Sequence, residues 1–121
     1  MTKEQMVAEF GATGVQNPMI MDLITLDEAS DHVVLVMIER RAWGASPRQF
    51  LEIEEKINRY LGYVIDGFLE QQYPQYRGKR VRIRLDCVET PQGEAAAFVS
   101  AAQQASRAHG IDFVAHVAPP A

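Results

Sequence analysis

From Ser46 to Pro74 the chain spells out one long amphipathic helix, and this segment restricts the possible folds more than any other. Ser46 is a favourable N-cap, Pro47 suits the first helical position, and Gln49 completes a Ser-x-x-Gln capping box. Phe50, Ile53, Ile57, Tyr60, Leu61, Val64, Ile65 and Phe68 recur at the i, i+3, i+4, i+7 spacing of one buried face, and Pro74 is expected to stop the helix. Glu52 and Lys56, like Glu55 and Arg59, stand at i, i+4 with the acid on the N-terminal side, and Asp66 and Glu70 continue that outward face. Pairs so placed support a solvated helix surface and do not suggest a general acid–base couple.

Strand signals flank the helix. Asn17-Pro18 marks a turn, and Met19 to Leu26 reads as a first strand. Asp27 to Asp31 is a polar turn, and His32 to Glu39 is a second strand whose centre, Val33 to Ile38, is unbroken by polar residues. A β-branched run that short indicates a buried strand. After the helix, Gln75 to Lys79 is a loop. Arg80 to Val88 reads as a third strand, with Val81, Ile83, Leu85 and Cys87 alternating with Arg80, Arg82, Arg84 and Asp86, the period of two that a strand with one buried face requires. Thr90 and Pro91 begin an alanine-rich helix with Ala95, Phe98, Val99, Ala102 and Ala105 inward and Gly110 at its end, and Ile111 to Val117 is a last strand. The order ββαβαβ predicts an α+β two-layer sandwich. Its four-stranded mixed sheet, in the order 1-2-3-4, carries both helices on one face because successive crossovers share a hand. Residues 3–10 suggest a short additional helix. The expected division is an N-terminal segment 1–16, one domain 17–117 and a Pro-rich tail 118–121.

A chain of 121 residues suits a single core without metal or disulfide staples. Cys87 is the only cysteine, so an intramolecular disulfide is excluded, and a cytoplasmic setting is the expectation. The formal charge of −4 argues against general nucleic-acid binding, and no apolar run approaches the length of a membrane span.

One helical layer covers one face of such a sheet, yet the second strand is apolar on both. Either Val34, Val36 and Ile38 or the alternate set Val33, Leu35 and Met37 must be covered on the open side. The possible covers are the N-terminal segment through Met6, Val7 and Phe10, a second copy of the chain, or another partner.

The segments Asn17-Pro18-Met19-Ile20-Met21-Asp22, Trp43-Gly44, Glu55-Lys56-Ile57-Asn58-Arg59-Tyr60-Leu61 and Tyr73-Pro74 resemble a family of small bacterial proteins known only as a domain of unknown function. The resemblance runs from about Asn17 to Val117. It implies a bacterial, intracellular, single-domain protein and assigns no catalytic residue.

The chemistry-bearing residues admit structural readings throughout. Lys79, Arg80, Arg82 and Arg84 form a basic stripe on the third strand. It suits an anionic ligand, or a solvated face balanced by Asp22, Glu39 or Asp112. Trp43, in Arg40-Arg41-Ala42-Trp43-Gly44, is a binding anchor or a cap on the core with its indole N–H bonded to a carbonyl. His32, His109 and His116 lack ligand spacing, and Cys87 continues a core alternation. No nucleophile, nucleotide or metal motif is present. The expectation is therefore a non-catalytic interaction module without cofactor or metal. It would self-associate or bind a protein partner through Val34, Val36, Ile38 and Trp43. The alternative is a small anionic-ligand protein or enzyme using Arg40, Arg41, Arg80, Arg82 and Arg84 beside Trp43.

Overall fold

A computed structural model describes residues 13–18 and 20–117. The suggested helix over residues 3–10, with Met6, Val7 and Phe10, and the tail 118–121 lie outside the described residues.

Strands β1 (Leu23–Asp27) and β2 (His32–Ile38) form an antiparallel hairpin. Its turn is stabilised by Asp27, whose carboxylate accepts from the Ala29 N–H at 3.2 Å and the Ser30 hydroxyl at 2.9 Å, while Asp31 takes up φ 55°. Helix α1 (Gln49–Ile65), the short α2 (Phe68–Gln72) and a 3-10 turn (Pro74–Tyr76) lead to β3 (Arg80–Cys87). Helix α3 (Glu94–Arg107) then leads to β4 (Asp112–Val117). The sheet order is β1-β2-β3-β4, with β2, β3 and β4 mutually parallel, as the ββαβαβ reading predicts.

The register sorts the side chains into two faces. Ile24, Leu35, Ile83 and Phe113 lie side by side in one row, and Leu26, Val33 and Val81 form the next. These rows share a core with Ile53, Ile57, Tyr60 and Leu61 of α1 and Val99 and Ala102 of α3, so both helices do cover the same face. Val33, Leu35 and Met37 are the helix-side set, which leaves Val34, Val36 and Ile38 on the open side.

Several expectations need correction. The long helix breaks at Gly67, which adopts φ 85° and donates to the Val64 carbonyl, ending α1 before Pro74 is reached. A left-handed residue after the last helical turn is most easily a glycine. Ile65 and Phe68, placed on the buried face by periodicity, are about half exposed beside this break. The helix begins at Gln49 with Arg48 at the N-cap and no side-chain cap, so Ser46 and Pro47 lie in the turn before it, where the Ser46 hydroxyl accepts from the Arg48 N–H at 3.1 Å. The Gln49 backbone N–H donates to the Ser46 carbonyl, but its side chain does not close a capping box; the side-chain amide instead ties down the preceding loop, accepting from Gly44 N–H and donating to the Ala42 carbonyl. In α3, Ser106 takes the inward position expected of Ala105, which is exposed. The first strand begins at Leu23 rather than Met19, because Asp22 is used differently.

Candidate functional site

Asp22 is a fully buried carboxylate. Its Oδ1 accepts from Lys56 Nζ at 2.7 Å and Gly14 N–H at 2.9 Å, and its Oδ2 accepts from Ile38 N–H at 2.9 Å. The Lys56 ammonium is equally buried and also donates to the Gly14 carbonyl at 2.7 Å and the Asn17 carbonyl at 3.1 Å, so each of its protons has an acceptor. Tyr60 completes the cluster. Its hydroxyl accepts from Asp22 N–H and donates to the Val36 carbonyl, beside the Leu23–Val36 pair where the β1–β2 ladder ends. The strap that leads into β1 is thereby locked onto α1 and the end of β2 through Gly14, Asn17 and Asp22, with Val15 buried and its N–H on the Ile38 carbonyl. A side chain at Gly14 would press on the Arg40 guanidinium at 2.7 Å, and its φ of 122° already favours glycine.

Two of the segments that carry the family resemblance, around Asn17–Asp22 and Lys56–Tyr60, therefore meet in a structural clamp. Sequence reading placed Lys56 on the solvated face, paired with Glu52. Yet Lys56 lies three residues after Ile53 and four before Tyr60, inside the apolar stripe, and that position marks it as a buried cation.

Burial raises the Tyr60 phenol well above the ordinary tyrosine range, and the nearby Asp22 carboxylate adds to this. A phenol whose folded pKa exceeds its unfolded value of about 10 contributes stability that is complete below that value and is lost as pH rises through the folded one. Tyr60→Phe, which leaves the Asp22 N–H without its acceptor and removes a donor from the Val36 carbonyl, is expected to cost about 1–3 kcal/mol near neutrality. That difference from the native chain should hold steady up to about pH 9 and shrink above about pH 10, read by urea titration with circular dichroism. A difference unchanged at about pH 11 would contradict the assignment.

A second charged cluster lies at the C-terminal end of β2. The buried Glu39 carboxylate takes two guanidinium bonds from Arg41, at 2.8 and 2.9 Å, and the Arg41 N–H; Arg41 also reaches Glu52 at 3.0 Å. Glu52 thus pairs with Arg41 and not with Lys56. Trp43 packs against the core edge, its ring 6.2 Å from Phe50, which stacks in turn on Phe98 at 4.9 Å. Its indole N–H donates to the Glu89 carbonyl at 2.9 Å and its backbone N–H to the Glu89 side chain.

The open face carries the basic stripe. Lys79 meets Asp31 at 2.6 Å, Arg80 meets Asp112 at 3.3 Å, Arg82 meets Asp27 at 3.3 Å, and Arg84 grips Asp86 through two bonds at 2.7 and 3.1 Å. Of the carboxylates expected to balance the stripe only Asp112 does so; Asp22 and Glu39 are committed to the buried clusters. His32 and His116 sit on the same face beside Asp112 and Asp86, at 3.3 and 3.4 Å. Beneath the charges Val34 and Val36 are 3% and 1% exposed, while Leu23, across from Val36 on β1, is 51% exposed. Arg40 turns away from the stripe, donating to the Thr13 carbonyl and hydroxyl, and Arg41 is held by Glu39 and Glu52. The arginines grouped by sequence are thus held by different sets of partners.

Among the described residues no cluster of His, Cys, Asp and Glu could hold a metal ion, and no helix is long and apolar enough to cross a membrane. Cys87 is buried, which raises its thiol pKa and suits a small apolar core residue better than a nucleophile.

These features define a small open-faced α+β domain, with two helices on one side of a mixed sheet and a salt-bridged surface on the other. The chain belongs to a family of unknown function, DUF6572, whose family model matches residues 13–119. No curated protein and no solved structure matches it.

Proposed function

We propose that this domain is a non-catalytic binding module that associates through its open sheet face, with a second copy of the chain as the partner. The observation that supports this reading is the charge balance of that face. Lys79, Arg80, Arg82 and Arg84 are matched one for one by Asp31, Asp112, Asp27 and Asp86, although the whole chain carries −4. Interspersed charges of both signs let such a face meet its own copy across a two-fold axis without net like-charge repulsion, as an isologous dimer requires. The same pairing counts against an anionic ligand on the stripe, since such a ligand would have to displace carboxylates already in place.

The test is molar mass by size exclusion with light scattering, at concentrations bracketing the micromolar range. The expected value is about twice the 13.6 kDa of one chain, and Arg82→Glu, which sets a like charge against Asp27, should move it to the monomer without altering the circular dichroism spectrum. A native chain that stays at 13.6 kDa throughout would overturn the reading.

A further inference from the structure

We infer that a second site lies on the helical side of the domain and takes a small aromatic monocarboxylate. Between α1, α2 and the core-facing side of β1 the structure holds a cleft of about 540 Å³. That volume falls in the range of small-molecule sites, roughly 300–1,000 Å³, and is too small for a folded partner. Met21 and Ile24 line one side and Tyr63 and Tyr73 the other, giving flat aromatic and apolar surfaces suited to a ring.

The polar inventory limits what else the ligand carries. The Tyr60 hydroxyl is used twice in the buried clamp, and the Tyr63 hydroxyl donates to Gln72 Oε1 at 2.6 Å. Gln72 keeps its amide N–H groups as donors, because only its oxygen is taken. Arg59 lines the same cleft, is exposed, and makes no hydrogen bond or ion pair among the described residues. The i, i+4 pair with Glu55 expected from the sequence does not form among the described residues, whereas the arginines at positions 41, 80, 82 and 84 all hold carboxylates. One unmatched guanidinium beside amide donors, at the mouth of a tyrosine-lined cleft, calls for a single carboxylate on an aromatic body.

The probes are 3-phenylpropionate and indole-3-acetate, titrated calorimetrically into the full chain, with 3-phenylpropionamide as the uncharged control. Saturable binding of at least one acid is expected. The amide should bind at least about tenfold more weakly, and Arg59→Gln should weaken the acid by a similar factor. Because Arg59 is exposed, the variant should melt like the native chain. Three results would each overturn the inference: no saturable heat from either acid up to about 10 mM, equal affinity for acid and amide, or unchanged affinity in Arg59→Gln. The cleft and the open face occupy opposite sides of the sheet, so failure of this site leaves the association reading untouched, and the reverse also holds.

Discussion

Lys56→Met is expected to be the most damaging conservative substitution in this domain, lowering stability by about 3–5 kcal/mol. Methionine matches the length of the lysine stem and would fill much the same space in α1. What it removes is, among the described residues, the one cation bonded to a carboxylate with no solvent exposure on either side chain. Asp22 would keep its bonds from Gly14 and Ile38 but lose its counter-charge, and the Gly14 carbonyl would lose the ammonium as a donor. A buried carboxylate stripped of its partner either remains as an uncompensated charge or takes up a proton, and both are costly. Burial already pushes the Lys56 ammonium below the ordinary lysine range, and Asp22 offsets only part of that. Lys56→Met combined with Asp22→Asn, which leaves no charge in the clamp, should recover at least half of the loss. Urea denaturation of the two variants decides the matter: a loss below about 1 kcal/mol for Lys56→Met would show that the pair contributes little.

Leu35→Ala is expected to cost about 2–5 kcal/mol by a different route. Leu35 is fully buried at the middle of β2, flanked in register by Ile24 and Ile83, and faces the helical layer that includes Ile53. The surrounding side chains come from three strands and a helix whose backbones are all hydrogen-bonded, so the space left behind can close only in part. The loss should appear in the denaturant midpoint with the slope unchanged, since the same surface is exposed on unfolding. Val34→Ala, one residue away on the open face, removes less volume and provides the comparison. Equal losses at the two positions would argue that the helical side is no better packed than the open one.

Much of this architecture is legible in the residues themselves. The alternation read from Arg80 to Val88 marks β3 to within one residue of its end at Cys87, because one face meets the helices and the other meets carboxylates and solvent. The apolar run of β2 signals a strand buried on both sides, and the parallel pairing of β2 with β3 and of β3 with β4 follows from the helices that separate them. The break at Gly67 is harder to see. Val64, Ile65 and Phe68 continue helical spacing straight across it, and only the backbone angle shows that the chain has turned. The strap is harder still. Met19 to Asp22 has the composition of a strand, but its end is set by a carboxylate that meets a lysine 34 positions away. Local periodicity carries no information about a contact of that range. The partners of Arg82 and Arg84 were hidden for a related reason: which aspartate faces which arginine depends on hairpin register and on a bond two residues along the same strand.

The buried ammonium also gives the molecule a built-in reporter. Lysines occur at three positions, 3, 56 and 79, and the amine at position 56 is shut away with each N–H engaged. An amine-selective reagent can therefore modify it only while the strap is lifted from the helix. Its labelling rate in the intact protein measures how often that opening occurs, at a single atom and without denaturant.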